Sequence, residues 1–440
     1  MKKYKKLTLN ITFLSIAILL VYYLIVAYKL KLNVSPDELL RYEIPLYIYQ
    51  HGTLPVGTNK AVMLPYGNYS YAYYPQLLGG VLSALFMKVM SLFSTDPKLL
   101  LFAARWTSAL MGIVTVYCVV QTCRLFTKNN FLSNMSAVVV GLLPQFVYLS
   151  AYVNNDIVAI AGVSIMIYAL TLATKSNWNY KNSLVLALGI IICLLGYLNS
   201  VPFVLVGIGY AIFLLVEQIR NKKLLFKYGI WILVVAVIVV IVCVAPLYIR
   251  NYYLYHDFTG ARVFSAAYQR WLDDGGKPTM HPYSSGIIKL IFNTDWIVTT
   301  FKSMVSLFGY MNVFPKLGYY IFYLLFFYTG LLFSIVLLSK EKSKDTKTTI
   351  FNCLMLIGVL LTLFLSMYRS VTTDYQPQGR YVLTVLPIFI IWWTTGMNKL
   401  RKSSRPKYSV FLYPTLITVY AIISLTCVVH YVVLNSILIG

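Results

Sequence analysis

Two adjacent carboxylates open the chemistry available to this chain. They lie in Ser35-Pro36-Asp37-Glu38-Leu39-Leu40-Arg41-Tyr42, just past the first long apolar run. An ionised Asp or Glu there can take a proton from a hydroxyl. The same residues fit a helix start: Ser35 as N-cap, Glu38 as its capping-box partner three residues on, Pro36 at the first helical position. The readings are compatible, because a cap also fixes where Asp37 points. A third acid, Asp156, stands where the segment 149–156 surfaces, and it either caps the next helix or serves a site.

Cations and aromatic residues complete the set. Arg105, in Phe102-Ala103-Ala104-Arg105-Trp106, either snorkels at the end of a span or holds an anion. Arg369 follows Tyr368, and Arg380 lies in Gln376-Pro377-Gln378-Gly379-Arg380-Tyr381. These two run against the charge bias expected of their side of a membrane, and a guanidinium fork suits phosphate. The aromatic run 66–74 ends in Tyr73-Tyr74-Pro75-Gln76-Leu77, which suits a membrane-interface belt or stacking on a sugar face. Farther on, His256-Asp257, Asp273-Asp274, His281 and Asp295 lack the spacing of a metal set, so no metal site and no cofactor is expected.

The elements that must position these groups follow from composition. Of 440 residues, 59% are hydrophobic and 11% charged, with mean hydropathy +0.73. Such a chain cannot cover itself with polar groups in water, and its apolar runs repeatedly reach the ~20 residues that cross a bilayer as a helix. The net charge of +24 does not indicate nucleic acid, because Lys and Arg cluster in short runs between apolar segments. All six cysteines lie in apolar segments without CxxC spacing, which predicts small core residues and no disulfide framework.

Spans are predicted at 7–28, 100–125, 134–153, 157–174, 183–199, 201–219, 228–249, 317–339, 349–368, 381–397 and 409–436, about eleven in all. The first is preceded by Lys2, Lys3, Lys5 and Lys6 and is too long for a signal-peptide core, so it reads as retained. Segment 75–93 is apolar enough to be a twelfth span. Were it to cross, the basic clusters 220–227, 340–347 and 399–407 would move to the outer side, against the positive-inside rule. It is therefore expected to lie along the outer surface. With a cytoplasmic N-terminus, most acids then face outward, and two long outer loops, 29–99 and 250–316, are available to arrange them.

In their order, these features resemble the C-type glycosyltransferase (GT-C) superfamily, polytopic enzymes that use lipid-linked sugar donors. The resemblance rests on Asp37-Glu38 with Arg41-Tyr42, the turn 52–55, Tyr74-Pro75-Gln76-Leu77, Arg105, Asp156 after a proline-containing span, and the Gln-x-Gly-Arg-Tyr ending at Tyr381. It covers roughly 1–175 by motif and 176–367 by topology alone, and returns at 376–381. It implies an all-α, multi-pass fold with juxtamembrane helices in the first outer loop, a catalytic half over 1–175 and a variable half over 176–440, of a bacterial type without a soluble C-terminal domain.

The chemistry it implies is inverting transfer of a sugar from a polyprenyl-phosphate donor to an acceptor hydroxyl, on the outer face of a bacterial plasma membrane. The acceptor would be a cell-surface glycan or a lipid-linked acceptor. Asp37 would be the general base, with Glu38 supporting it. Arg105, Arg369 and Arg380 would stabilise the leaving phosphate, Asp156, like Glu38, would orient the acceptor or support the base, and Arg41, Tyr42, Tyr74 and Tyr381 would line the substrate site. Rival readings are a flippase or transporter for lipid-linked saccharides, which would favour internal repeats and ionisable groups at mid-membrane, and a polysaccharide polymerase or ligase on the same face.

Overall fold

The computed structural model describes residues 2–64, 69–176, 178–340, 345–403 and 406–434, with backbone alone over 2–10, 335–340 and 406–410. Tyr66 of the aromatic run, and Lys342, Lys344 and Arg405 of the basic clusters, lie outside the described residues. The fold is helical, with no strand among the described residues. The first helices are α1 (Lys2–Lys29), α2 (Glu38–His51), α3 (Leu78–Ser91), α4 (Pro97–Thr127), α5 (Asn130–Gly141) and α6 (Pro144–Leu149). Then come α7 (Asp156–Lys175), α8 (Tyr180–Gly196), α9 (Val201–Arg220), α10 (Phe226–Tyr255) and, in the second long loop, α11 (Ala261–Asp273), α12 (Ile287–Asn293) and α13 (Trp296–Val305). The last are α14 (Leu317–Lys340), α15 (Thr346–Thr372), α16 (Leu386–Ser403) and α17 (Pro406–Val428).

Eight of these regions are long and apolar enough to cross a membrane: those of α1, α4, α7, α9, α10, α14, α15 and α17. They account for eight of the eleven expected spans, and the other three differ in instructive ways. The stretch 134–153 is not one helix. Pro144 lacks the N–H that would continue the ladder, so α5 ends at Gly141 and the six-residue α6 restarts at the proline itself. The stretch 381–397 begins as two 3-10 turns, Gly379–Tyr381 and Leu383–Val385, before α16 starts at Leu386. The stretch 183–199 is the shorter apolar helix α8.

The segment 75–93 folds as α3, whose 14 residues reach only ~21 Å, short of the ~30 Å of hydrocarbon. It buries Gly79, Ser83, Ala84 and Met87 and leaves Leu85, Val89, Leu92 and Phe93 exposed. One face therefore packs on α2 and α4 while the other stays apolar, the pattern of a helix lying along the membrane.

One apolar core runs from Leu19 on α1 to Val432 near the end of the described chain, centred on α4, α7 and α8. Gly162 on α7 and Gly189 on α8 face each other so closely that a Cβ on either would strike the other helix. This is the small-residue approach by which membrane helices pack without hydrophobic drive. Cys118, Cys123, Cys193 and Cys427 are buried as expected. Cys243 and Cys353 instead lie exposed on α10 and α15, where the residues around them also face outward.

The charged groups sort to two ends. At one, Lys347 pairs with Glu217 at 2.7 Å and Lys175 with Asp345 at 3.8 Å, bringing basic loops together. At the other, Asp37, Asp156, Arg369 and Arg380 collect. With the basic end taken as cytoplasmic, cysteines placed at Lys60 or Lys277 should be labelled by an impermeant reagent in intact cells, and those at Lys222 or Lys402 should not. Labelling at Lys222 from outside would overturn the orientation.

Candidate active site

The chain between α1 and α2 turns through two residues in the left-handed region, Asn33 and Asp37. Asp37 (φ 60°, ψ 5°) precedes α2 without capping it by its side chain. Short polar residues tolerate this conformation best. Its carboxylate reaches 343 residues along the chain instead, accepting from Arg380 Nη2 at 2.7 Å. Glu38, one residue on, faces another way. Its carboxylate is wholly buried, accepts from Arg105 Nε at 2.7 Å and Nη2 at 2.8 Å, and takes the Val153 N–H at 3.1 Å. The capping box of Ser35 and Glu38 is therefore not formed. A bidentate guanidinium pair is about twice as strong as a neutral bond and outcompetes a cap.

Arg105 is the other half of that pair. Beyond Glu38, its Nη1 donates to Ala27 O and Leu30 O, both at 2.7 Å, and its Nη2 to Lys31 O at 3.2 Å. With all five N–H groups engaged, it ties the end of α1 to α2 and α4 and has no donor left for a phosphate. Tyr42 also departs from expectation. It packs with Met87, Leu100, Leu101, Ala104 and Val153, because one step along α2 turns it about 100° from Arg41.

Arg380 is buried and holds the Asp37 carboxylate. Besides Asp37 it donates to Gln378 Oε1 at 2.6 Å, Tyr381 Oη at 2.9 Å and Pro36 O at 3.4 Å. Gly379 allows this placement: a Cβ there would collide with the backbone of Ser303 and Met304 on α13. Burial tends to raise the pKa of Asp37, but the charges of Arg380 and Arg41, with hydrogen bonds from Arg380 and Tyr71, prevail and hold it below the ordinary carboxylate value. Asp37 is therefore an ionised carboxylate, about a quarter exposed (27%).

A cavity of about 460 Å³ opens beside it. Of the residues expected in the site, Asp37, Arg41, Tyr74, Arg369 and Tyr381 line it, whereas Glu38, Tyr42 and Arg105 stand behind it. Arg41 lies over the rings of Tyr71 (4.3 Å) and Tyr197 (5.3 Å), and its Nε is buried without a hydrogen-bond partner. Arg369 is exposed in the last turn of α15. Asp156, at the start of α7, is buried with both carboxylate oxygens lacking a hydrogen-bond partner, and it feels the charges of Arg380, Arg41 and Asp37.

Tyr71, Tyr197 and Phe264 also line the cavity and were not singled out from sequence. Tyr71 lies within the aromatic run 66–74. Phe264 begins a helical stripe with Ala267, Tyr268 and Trp271 that period alone would have marked. Tyr197 carries no sequence signal. The second-loop acids are used structurally. Asp257 accepts from the N–H groups of Thr259, Arg262 and Val263 at the start of α11, and Asp295 takes Thr299 Oγ1 and Tyr375 Oη. Among the described residues, no three of His, Cys, Asp and Glu converge as a metal-binding group.

Residues 77–249 match the family model of dolichyl-phosphate-mannose-protein mannosyltransferases. No curated protein matches the sequence. Among solved structures, ArnT from Cupriavidus metallidurans bound to undecaprenyl phosphate aligns at TM-score 0.53 and 13% identity, over 90% of this chain and 60% of that one. Archaeal oligosaccharyltransferase AglB from Archaeoglobus fulgidus, in complex with an inhibitory peptide and a dolichol-phosphate, aligns at 0.50 and 12%, over 96% and 55%. The chain thus spans less than two thirds of either structure's length, and at these identities the likeness is one of fold.

Proposed function

We propose that the chain is a membrane glycosyltransferase of the GT-C kind, transferring a sugar from a polyprenyl-phosphate donor to an acceptor hydroxyl outside the cytoplasm; its fold and the family match over 77–249 support the reading. One observation carries the reading: an ionised, clamped carboxylate and two guanidiniums, those of Arg41 and Arg369, line one cavity. Asp37 takes the acceptor proton, the freed oxygen attacks the anomeric carbon, and the bond from that carbon to the phosphate oxygen breaks with inversion. Polyprenyl phosphate leaves carrying the electron pair, and Arg41 and Arg369 offset its charge. Arg380 orients the base, and Asp156, buried off the cavity lining, acts on it through the shared charges of Arg380 and Arg41. The lipids held by ArnT and AglB support a polyprenyl phosphate as the donor carrier.

The direct test is incubation of the purified protein in proteoliposomes with polyprenyl-phosphate hexoses, reading released polyprenyl phosphate. A transporter would leave the sugar attached to its lipid. Arg41→Ala and Arg369→Ala should each weaken donor binding by roughly tenfold or more, the scale of one charged hydrogen bond, with Lys at Arg369 rescuing only in part. Unchanged donor affinity in both Ala variants would remove the phosphate from this cavity.

A further inference from the structure

We infer that Phe264 of α11, with Tyr69 and Tyr74 of the first outer loop, forms a platform that holds a pyranose ring in the cavity. The inference rests on the glycosyl-transfer reading and adds the surface that selects the sugar. The three rings come from two loops and converge: Phe264 lies 4.9 Å from Tyr69 and 5.4 Å from Tyr74, centroid to centroid. All three line the cavity that contains Asp37, and all three are only half-buried, so ring surface remains open to it. The face of an aromatic ring is the negative part of its quadrupole, and the C–H face of a pyranose supplies the complementary positive edge.

A membrane-interface belt explains this arrangement poorly. Belt residues stand singly toward the headgroups, whereas these rings meet one another across two loops and around a polar cavity. The platform is also preorganised. Asp257 fixes the start of α11, accepting from Arg262 N at 2.7 Å. One turn beyond Phe264, Tyr268 stands 6.1 Å from Tyr69, and its hydroxyl accepts the N–H groups of Thr279 (2.7 Å) and Met280 (3.0 Å). The ring of Phe264 is thus presented on a helix held at both ends, which limits the ordering cost of binding.

The ring so held is either the donor's sugar or the acceptor's, and equilibrium binding separates them. Polyprenyl-phosphate glucose, the sugar-free polyprenyl phosphate and maltotriose are each titrated alone, so that no turnover occurs. The proteins compared are the wild type, Phe264→Trp, Phe264→Leu and Phe264→Ala, each first checked by thermal unfolding. Leu keeps apolar bulk without a π face. Both Leu and Ala should weaken one saccharide probe by roughly fivefold to tenfold, the scale of a single stacking contact, while Trp retains it and the sugar-free lipid is unaffected. The probe that responds identifies the ring. Wild-type affinity of Leu for both saccharides, a loss shared by the sugar-free lipid, or binding of neither saccharide by the wild type overturns the platform. If the binding pattern appears but no polyprenyl phosphate is released on turnover, the transfer reading fails and the platform stands. Intact transfer with an unaffected Leu variant fails the platform alone.

Discussion

Asp37→Asn should lower sugar transfer by roughly 10²-fold or more, the scale of loss of a general base. Asn keeps the volume and tolerates the left-handed backbone at this position. Its amide oxygen can still accept from Arg380, but it cannot take the acceptor's proton. Donor affinity and thermal stability should therefore stay near wild type while turnover collapses. The pH profile gives a second measure. Because Asp37 is held below the ordinary carboxylate value, the wild-type acid limb should lie below that of an unperturbed carboxylate. Arg380→Gln removes the cation that holds it there and should move that limb upward. Full transfer by Asp37→Asn would eliminate the mechanism, and an acid limb unmoved in Arg380→Gln would detach Arg380 from the base.

The adjacent carboxylate should behave in the opposite way. Glu38→Gln or Arg105→Ala breaks a pair whose side chains are 0% and 2% exposed, leaving one buried charge without its counter-charge. Such breaks cost about 3–5 kcal/mol. Arg105→Ala also strands the carbonyls of Ala27 and Leu30 and the link from α1 to α2. Both variants should show a large fall in unfolding temperature and poor recovery from the membrane. Arg105→Lys should rescue little, because one ammonium cannot replace five fixed donors. A melting temperature unchanged in Arg105→Ala would mean that the pair is not structural, and it would return Arg105 to the list of groups that can meet a phosphate. Two neighbouring acids are thus separated by measurement, one by loss of turnover and the other by loss of fold.

The sequence by itself determined the solvent of this protein. Hydropathy over ~20-residue windows reports transfer into hydrocarbon, a local property, so eight of the expected spans appear where they were read. The charge bias argued against a span at 75–93, and the helix there, α3, is too short to cross; the order of Asp37, Asp156, Arg369 and Arg380 named the groups that gather at one end. Pro144 was visible too, yet whether it kinks a span or breaks it depends on what satisfies the freed carbonyls, which is a tertiary matter. Tertiary structure alone decided the roles within the site. Asp37 and Glu38 differ in sequence by one position, but their partners stand 343 and 67 residues away, and those partners determine which carboxylate meets the cavity and which is buried. The same holds for the arginines. A guanidinium can serve an incoming anion only if the fold leaves its donors unspent, and local spacing carries no record of which carbonyls and carboxylates will arrive to claim them.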